Sequence, residues 1–219
     1  FEASINADIY DLDLFETSVE TIRGLHEKGK RVICYVSVGA WENWRPDKDA
    51  FPTALIGNPY SGWEGEKWLD VRKTDQLGPV IGKRFDLAKD KGCDAIEPDN
   101  IDGYDNDTGF PLTAADQIAF ALWLADEAHK RGMSIGLKNI PELVGELSAH
   151  FDWALTEDCF AEGWCEKMKP FITAGKAVFQ IEYTDNRASL DDFCPAAKAD
   201  NFTAVLKKRE LDAWRRSCP

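Results

Sequence analysis

The stretch KGCDAIEPDN, residues 91–100, compresses a helix end, a turn, a buried strand and a polar strand end into ten residues. Lys91 and Gly92 close the helix, because glycine takes the left-handed conformation that stops one. Residues 94–97 form a short predicted strand around Ala95 and Ile96, and Asp99 with Asn100 follow where it ends. The same order returns in KGKRVICYVS at 28–37, RGMSIGLKN at 131–139 and AGKAVFQIEY at 174–183. Gly29, Gly92, Gly132 and Gly175 each precede a predicted strand, which is the pattern of repeated parallel βα units.

Working outward, eight strands are predicted, at residues 9–14, 31–37, 67–71, 94–97, 134–137, 151–155, 177–181 and 202–206. Thr17-Ser18-Val19-Glu20 and Thr113-Ala114-Ala115-Asp116 resemble capping boxes, and Pro141 suits a first helical position. Residues 39–66, rich in Trp, Pro, Gly and Asn, have no helical period and read as an elaborated βα loop of functional length. Eight units in 219 residues, with no glycine-rich dinucleotide fingerprint after the first strand, predict an α/β fold. The architecture expected is a (β/α)8 TIM-like barrel rather than a doubly wound sheet. A single domain over 1–219 is expected, since this length suits one full core.

Charge interrupts every apolar run before it reaches the roughly 18 uncharged residues a membrane span needs, so no membrane insertion is expected. The sequence opens at Phe1, without Met or a leader-like stretch, which reads as a processed or trimmed chain. Six cysteines are consistent with disulfides and an extracellular location. Cys159 with Cys165 would close a short loop and Cys194 with Cys218 would staple the end of the chain. Cys34 and Cys93 fit either a bridge or buried thiols. No C-x-x-C spacing favours zinc. Asn106-Asp107-Thr108 and Asn201-Phe202-Thr203 match the glycosylation acceptor pattern.

The formal net charge of −13 argues against nucleic acid, which needs clustered Lys and Arg. Between Lys91 and Lys130 there is no basic residue except His129, while Asp94, Glu97, Asp99, Asp102, Asp105, Asp107, Asp116, Asp126 and Glu127 all fall inside. Such a stretch is either a solvated acidic face or part of an acidic site for a neutral or cationic ligand.

Barrel chemistry sits at the C-terminal ends of the strands. That rule selects Asp11 and Asp13, Tyr35 and Ser37, Asp70, Glu97 with Asp99 and Asn100, Lys138 with Asn139, Glu157 with Asp158, and Glu182 with Tyr183. Carboxyls gathered at one mouth repel, which raises some and leaves others ionised, the condition for holding an acid beside a base. Glycosidic hydrolysis needs that pair, one carboxyl protonating the leaving oxygen and one attacking or activating water. Sugar rings also stack on flat side chains, and Trp41, Trp44, Trp63, Tyr104, Trp164 and Tyr183 lie in loops or strand ends. Each of these tryptophans is as readily a loop's own core. The histidines, His26, His129 and His150, fall in helical stretches, so a histidine-held metal or a Ser-His-Asp triad lacks its base. Residues 102–109, DGYDNDTG, could wrap Ca²⁺ but lack the twelfth-position Glu of an EF-hand. No metal and no cofactor is expected.

These residues resemble the endo-α-1,4-polygalactosaminidases, glycoside hydrolase family 114. The resemblance is carried by YDLDLF at 10–15, RVICYVSVGAWENWRPD at 31–47, GCDAIEPDNIDGYDNDTGFPLT at 92–113, SIGLKN at 134–139, TEDCF at 156–160 and AVFQIEY at 177–183. It implies a TIM-barrel-like fold and endo-cleavage of α-1,4-linked galactosamine or N-acetylgalactosamine polymers, as in fungal and bacterial biofilm matrices. It further implies Asp99 and Glu157 as the two catalytic carboxyls, read as nucleophile and acid/base, with exchanged roles left open. Glu97 would tune the site, and Glu182 is the alternative acid. Substrate contacts are expected from Asp13, Tyr35, Trp41, Asp70, Glu97, Asn100, Asp102, Tyr104, Lys138, Asn139, Glu182 and Tyr183.

The function expected is hydrolysis of a galactosaminogalactan-type exopolysaccharide by a secreted monomer, its acidic mouth drawing an ammonium-bearing polymer. A glycosidase for another α-linked sugar and a non-catalytic carbohydrate-binding barrel are the alternatives. Retention or inversion stays open at this stage; a carboxyl separation of roughly 5–5.5 Å would mark retention.

Overall fold

The computed structural model describes residues 6–186 and 188–219; Phe1 lies outside them. The described chain falls into two compact units, 7–135 and 136–219, the second joined by Asn6, whose carbonyl accepts a hydrogen bond from Arg215 Nη2 at 3.1 Å.

In the first unit the apolar runs become parallel strands β1 (Ile9–Asp13), β2 (Arg31–Ser37) and β6 (Ala95–Asp99). β2 lies between β1 and β6, with Asp13 beside Tyr35, Tyr35 beside Glu97 and Ser37 beside Asp99. Side chains alternate along a strand, so Asp13, Tyr35, Ser37, Glu97 and Asp99 belong to one face. A disulfide between Cys34 and Cys93 ties β2 to the entrance of β6. Helices α1 (Val19–His26), α2 (Thr74–Lys91) and α3 (Ala114–Lys130) alternate with these strands. Ser18 caps α1, and Thr113 with Asp116 completes a capping box on α3. Gly92 ends α2 with φ 92°.

The long stretch after β2 holds β3 (Ala40–Glu42) and β4 (Ile56–Pro59), which flank β5 (Glu66–Leu69) in a separate antiparallel sheet ordered β3-β5-β4. This corrects the expectation that 67–71 is a strand of the parallel sheet. Its buried Trp68 and Leu69 give it the apolar signature of a barrel strand, but both of its edges are paired with the strands that immediately precede it in sequence.

β7 (Ser134–Lys138) begins against β6, through Ser134 and Ile135. In the second unit its remainder pairs with β8 (Trp153–Glu157), followed by β9 (Val178–Tyr183) and β10 (Thr203–Lys207), all parallel. β11 (Arg215–Ser217) then runs antiparallel to β10. It is the eighth strand of the order β1-β2-β6-β7-β8-β9-β10-β11. Its Arg-Arg-Ser sequence carries no apolar pattern; backbone pairing and the Cys194–Cys218 disulfide hold it. Short helices α4 (Val144–Leu147), α5 (Cys159–Glu162) and α6 (Lys169–Thr173) precede α7 (Leu190–Ala199). Pro141 opens a 3₁₀ turn, as its fixed φ suits. Cys159 and Cys165 form the third bridge. Gly136 is required by packing, since a β-carbon there would lie 2.3 Å from the Trp153 ring.

Among the described residues, no helix is long and apolar enough to cross a membrane.

Candidate active site

Asp99 ends β6, and its position is fixed from both backbone and side chain. Its carbonyl accepts from the N–H groups of Val38 and Gly39 at 3.1 and 3.3 Å, and its Oδ2 from the Tyr35 hydroxyl at 3.0 Å. Asn100 then turns the chain at φ 62°, a left-handed conformation that costs a non-glycine residue about 1 kcal/mol or more. Its Oδ1 is held 2.7 Å from Ser37 Oγ. Glu97 is buried one pleat below Asp99 on the same face.

The residues beyond this strand end come from two places. Asp102 precedes the 3₁₀ turn Gly103–Asp105 and Tyr104 lies within it, both half-buried, and Asp102 accepts from Asn106 Nδ2. Asp107 accepts from Asn58 Nδ2 at 2.9 Å, so the 102–109 loop is tied to β4 by hydrogen bonds. Just after β4 of the antiparallel sheet, Tyr60 packs against Trp68 with ring centroids 4.5 Å apart and planes tilted by 35°. Burial first, then the charges of Asp102 and Asp99, push the Tyr60 phenol well above its ordinary value. Glu66 is buried on the Trp68 face of β5; burial first, then Glu42 and Asp99, push it up to about 7. Neither Tyr60 nor Glu66 is marked by the strand-end rule. The alternation of Glu66, Lys67 and Trp68 is the signal that points both outer residues of that triplet inward.

Tyr60 also joins two clefts. One, of about 650 Å³, is walled by Trp41, Pro59, Tyr60 and Trp63; the other, of about 370 Å³, by Tyr60, Trp68, Asn106 and Asp107. Trp41 is pinned by its indole N–H to the Lys48 carbonyl at 3.0 Å, and Trp44 and Trp63 are exposed. Trp63 therefore joins the aromatic wall expected of a saccharide surface.

In the second unit Glu157 ends β8. Its Oε1 receives the Tyr183 hydroxyl, and Lys138 Nζ and Asn139 Nδ2 approach Oε2 at 3.2 and 3.3 Å. Asn139 Oδ1 in turn accepts the Glu157 N–H at 2.8 Å, so side chain and backbone are positioned together. Burial pushes the carboxyl up, but the Lys138 charge and the bonds from Tyr183, Lys138 and Asn139 outweigh it and leave Glu157 below the ordinary value. Asn139 and Asp158, the residues after β7 and β8, have φ 52° and 55°, repeating the turn at Asn100. Arg209 lies 3.8 Å over the Tyr183 ring and binds Asp158 Oδ2 at 2.8 Å.

Three expected contacts turn out to be otherwise engaged. Asp70 follows β5, not a parallel strand, and is gripped by Arg72 at 2.7 and 2.8 Å. Asp13 receives both Nη atoms of Arg45 at 2.9 and 2.7 Å. Glu182 is fully buried and accepts from the N–H groups of Phe160 and Ala161 and from Gln180, fixing the first turn of α5. Strand parity explains it: Glu182 points opposite to Tyr183, which reaches Glu157. Trp164 gives its N–H to Glu162. His26 pairs with Asp94 at 2.8 Å, ahead of β6 and at the opposite end of that strand from Asp99. Cys159 and Cys165 lie near Glu182, but as a disulfide they offer no thiolate to a metal.

The family model for glycoside hydrolase family GH114 matches residues 2–219. The crystal structure of Aspergillus fumigatus Ega3 in complex with galactosamine is 41% identical, with TM-score 0.94, over 100% of this chain and 90% of that one. The glycoside hydrolase domain of PelA from Pseudomonas aeruginosa shares the fold at 13% identity and TM-score 0.72, over 96% of this chain and 90% of that one. A protein of Deinococcus radiodurans named only as uncharacterized is 24% identical over 208 residues, 84% of this chain; the match spans 66% of its own length. The fold is thus the TIM-like barrel that the repeated βα units predict.

Proposed function

Because the chain belongs to glycoside hydrolase family GH114, we propose that it is an endo-acting hydrolase of α-1,4-linked galactosamine and N-acetylgalactosamine polymers. The observation that carries this reading is the full-length likeness to Ega3, whose structure holds galactosamine. Residues 1–219 act as one catalytic domain. Asp99, oriented by Tyr35, attacks the anomeric carbon, and Glu157 serves as acid and then base, a sequence that retains the anomeric configuration. Lys138, Asn139 and Tyr183 set the protonation and aim of Glu157. Trp41, Tyr60 and Trp63 offer ring faces to sugars beyond the scissile bond.

The substrate class is an exopolysaccharide of biofilm-matrix type, partly deacetylated and hence cationic. The three disulfides suit a secreted chain that acts there as a monomer. Incubation with galactosamine oligomers of defined length and acetylation, followed by mass spectrometry, is expected to yield internal-cleavage products. Asp99→Asn is expected to lose at least about a thousandfold in turnover while still binding polymer. Intact oligomers after prolonged incubation, or full activity in Asp99→Asn, would overturn the assignment.

A further inference from the structure

We propose that Glu66 is the specificity-determining carboxyl that binds the protonated 2-amino group of the galactosaminyl unit engaged by Asp99. The inference rests on the galactosaminide reading above and adds to it the residue that tells an amine from an acetamide.

Three observations converge on Glu66. It is more than nine-tenths buried, and among the described residues no hydrogen bond or ion pair reaches its carboxyl. Its carboxyl opens instead onto the cleft walled by Trp41, Tyr60 and Trp63, where a ligand can supply the missing partner. Its direction is fixed by the sheet: Glu66 and Trp68 share one face of β5, and Lys67, beneath which Trp41 lies, takes the other. That face carries the Tyr60 ring packed against Trp68, and the Asp99 charge acts on Glu66. In a sugar whose anomeric carbon faces Asp99, the adjoining ring carbon is C2, which carries the amino group in galactosamine. Gly39 gives its N–H to the Asp99 carbonyl and accepts from the Leu69 N–H, so β5 is tied to the end of β6, and a second carboxyl on that strand suits a C2 ammonium. Acetylation removes that charge and adds bulk, so an acetamide offers Glu66 no ion pair.

The charged and titratable groups around Glu66 leave this role to it. Glu42 lies directly across the strand pair and is bonded to Arg45 at 2.8 Å, with Arg84 3.7 Å from its other oxygen. Arg45 is committed to Glu42 and Asp13, and the Asp99 carboxyl on β6 and the Tyr60 phenol after β4 act on Glu66 electrostatically. Glu64 and Lys67 are exposed. A cationic sugar thus meets an uncompensated carboxyl whose ionisation it would favour, and binding should release a proton near neutral pH.

The test uses Glu157→Gln protein, which halts turnover and leaves Asp99 and Glu66 intact. Calorimetry at pH 7 in two buffers of different ionisation enthalpy should show proton release on binding a galactosamine oligomer and none on binding its N-acetylated counterpart. Adding Glu66→Gln should weaken the galactosamine oligomer about tenfold and leave the acetylated one within about twofold. Equal losses for both oligomers, no loss for either, no proton release, or no binding of the galactosamine oligomer would overturn the proposal. The calorimetry on Glu157→Gln alone decides the matter should the double variant fail to fold. Failure of the broader reading is seen separately, as absent hydrolysis by the unsubstituted enzyme.

Discussion

Burial, Glu42 and Asp99 hold the Glu66 carboxyl near 7, so the folded chain keeps a proton that the unfolded chain, with an ordinary value of 4.5, has already released. The folded state is favoured by this group at acid pH and loses that advantage as pH rises from about 4.5 through 7. Glu66→Gln, neutral at every pH, is expected to be more stable than the parent at pH 8 by roughly 2–3 kcal/mol and little different at pH 4. Urea unfolding at the two pH values measures this; no gain at pH 8 would mean that Glu66 is not desolvated. Glu157 has the opposite sign. Lys138 keeps it ionised in the free enzyme against the pull of burial, so as the acid it is protonated in only a small fraction of molecules at neutral pH. On an N-acetylated substrate, which makes no ion pair with Glu66, the kcat/KM of the parent is therefore expected to peak on the acid side and decline toward neutrality. Lys138→Met should move the declining limb to higher pH by about one unit or more. A kcat/KM that instead rises with pH and levels off would exchange the roles of Asp99 and Glu157.

The end of β6 is the element on which most depends, and its turn is crowded. A β-carbon at Gly39 would lie 1.7 Å from the Asn100 carbonyl oxygen, so Gly39→Ala must displace the backbone next to Asp99. The expected result is destabilisation of about 2 kcal/mol and at least a hundredfold loss of turnover, read by thermal unfolding and by assay. Element identity was legible where local chemistry decides it. The helix-ending glycines 29, 92, 132 and 175 all have positive φ, and β2 spans the residues its apolar run marks. What was not legible is which sheet a strand joins. Trp68 and Leu69 are as apolar as any barrel strand, and only pairing with β3 and β4 removes β5 from the parallel set. β11 escaped notice for the converse reason, since disulfide and backbone bonds hold it without apolar side chains. The strand-end rule picks out side chains that the fold brings together, Tyr35 with Asp99, and Lys138, Asn139 and Tyr183 with Glu157. The same rule could not show that Arg72 holds Asp70, that Arg45 holds Asp13 or that the first turn of α5 holds Glu182, because it cannot say whether an arginine or a helix end binds a carboxylate.

Across the molecule, the three disulfides close loops of very different length, with sequence separations of 59, 6 and 24. In the chain-entropy account the longest contributes about 2 kcal/mol more than the shortest. Replacing Cys34 and Cys93 by Ala is therefore expected to lower Tm several degrees further than replacing Cys159 and Cys165. The net charge of −13 acts over the same scale. Raising ionic strength from 0.05 to 0.5 M is expected to weaken binding of deacetylated polymer more than of acetylated polymer, and equal salt dependence would remove long-range attraction from the account.

The antiparallel sheet β3-β5-β4 has a consequence of its own. It leaves the parallel strands after β2 and hands the chain back at α2, carrying Trp41, Tyr60, Trp63 and Glu66 in one continuous segment. Such a segment is an exchangeable cassette: grafted between homologues, it could retune which decorated sugars are accepted while the reacting centre stays as inherited.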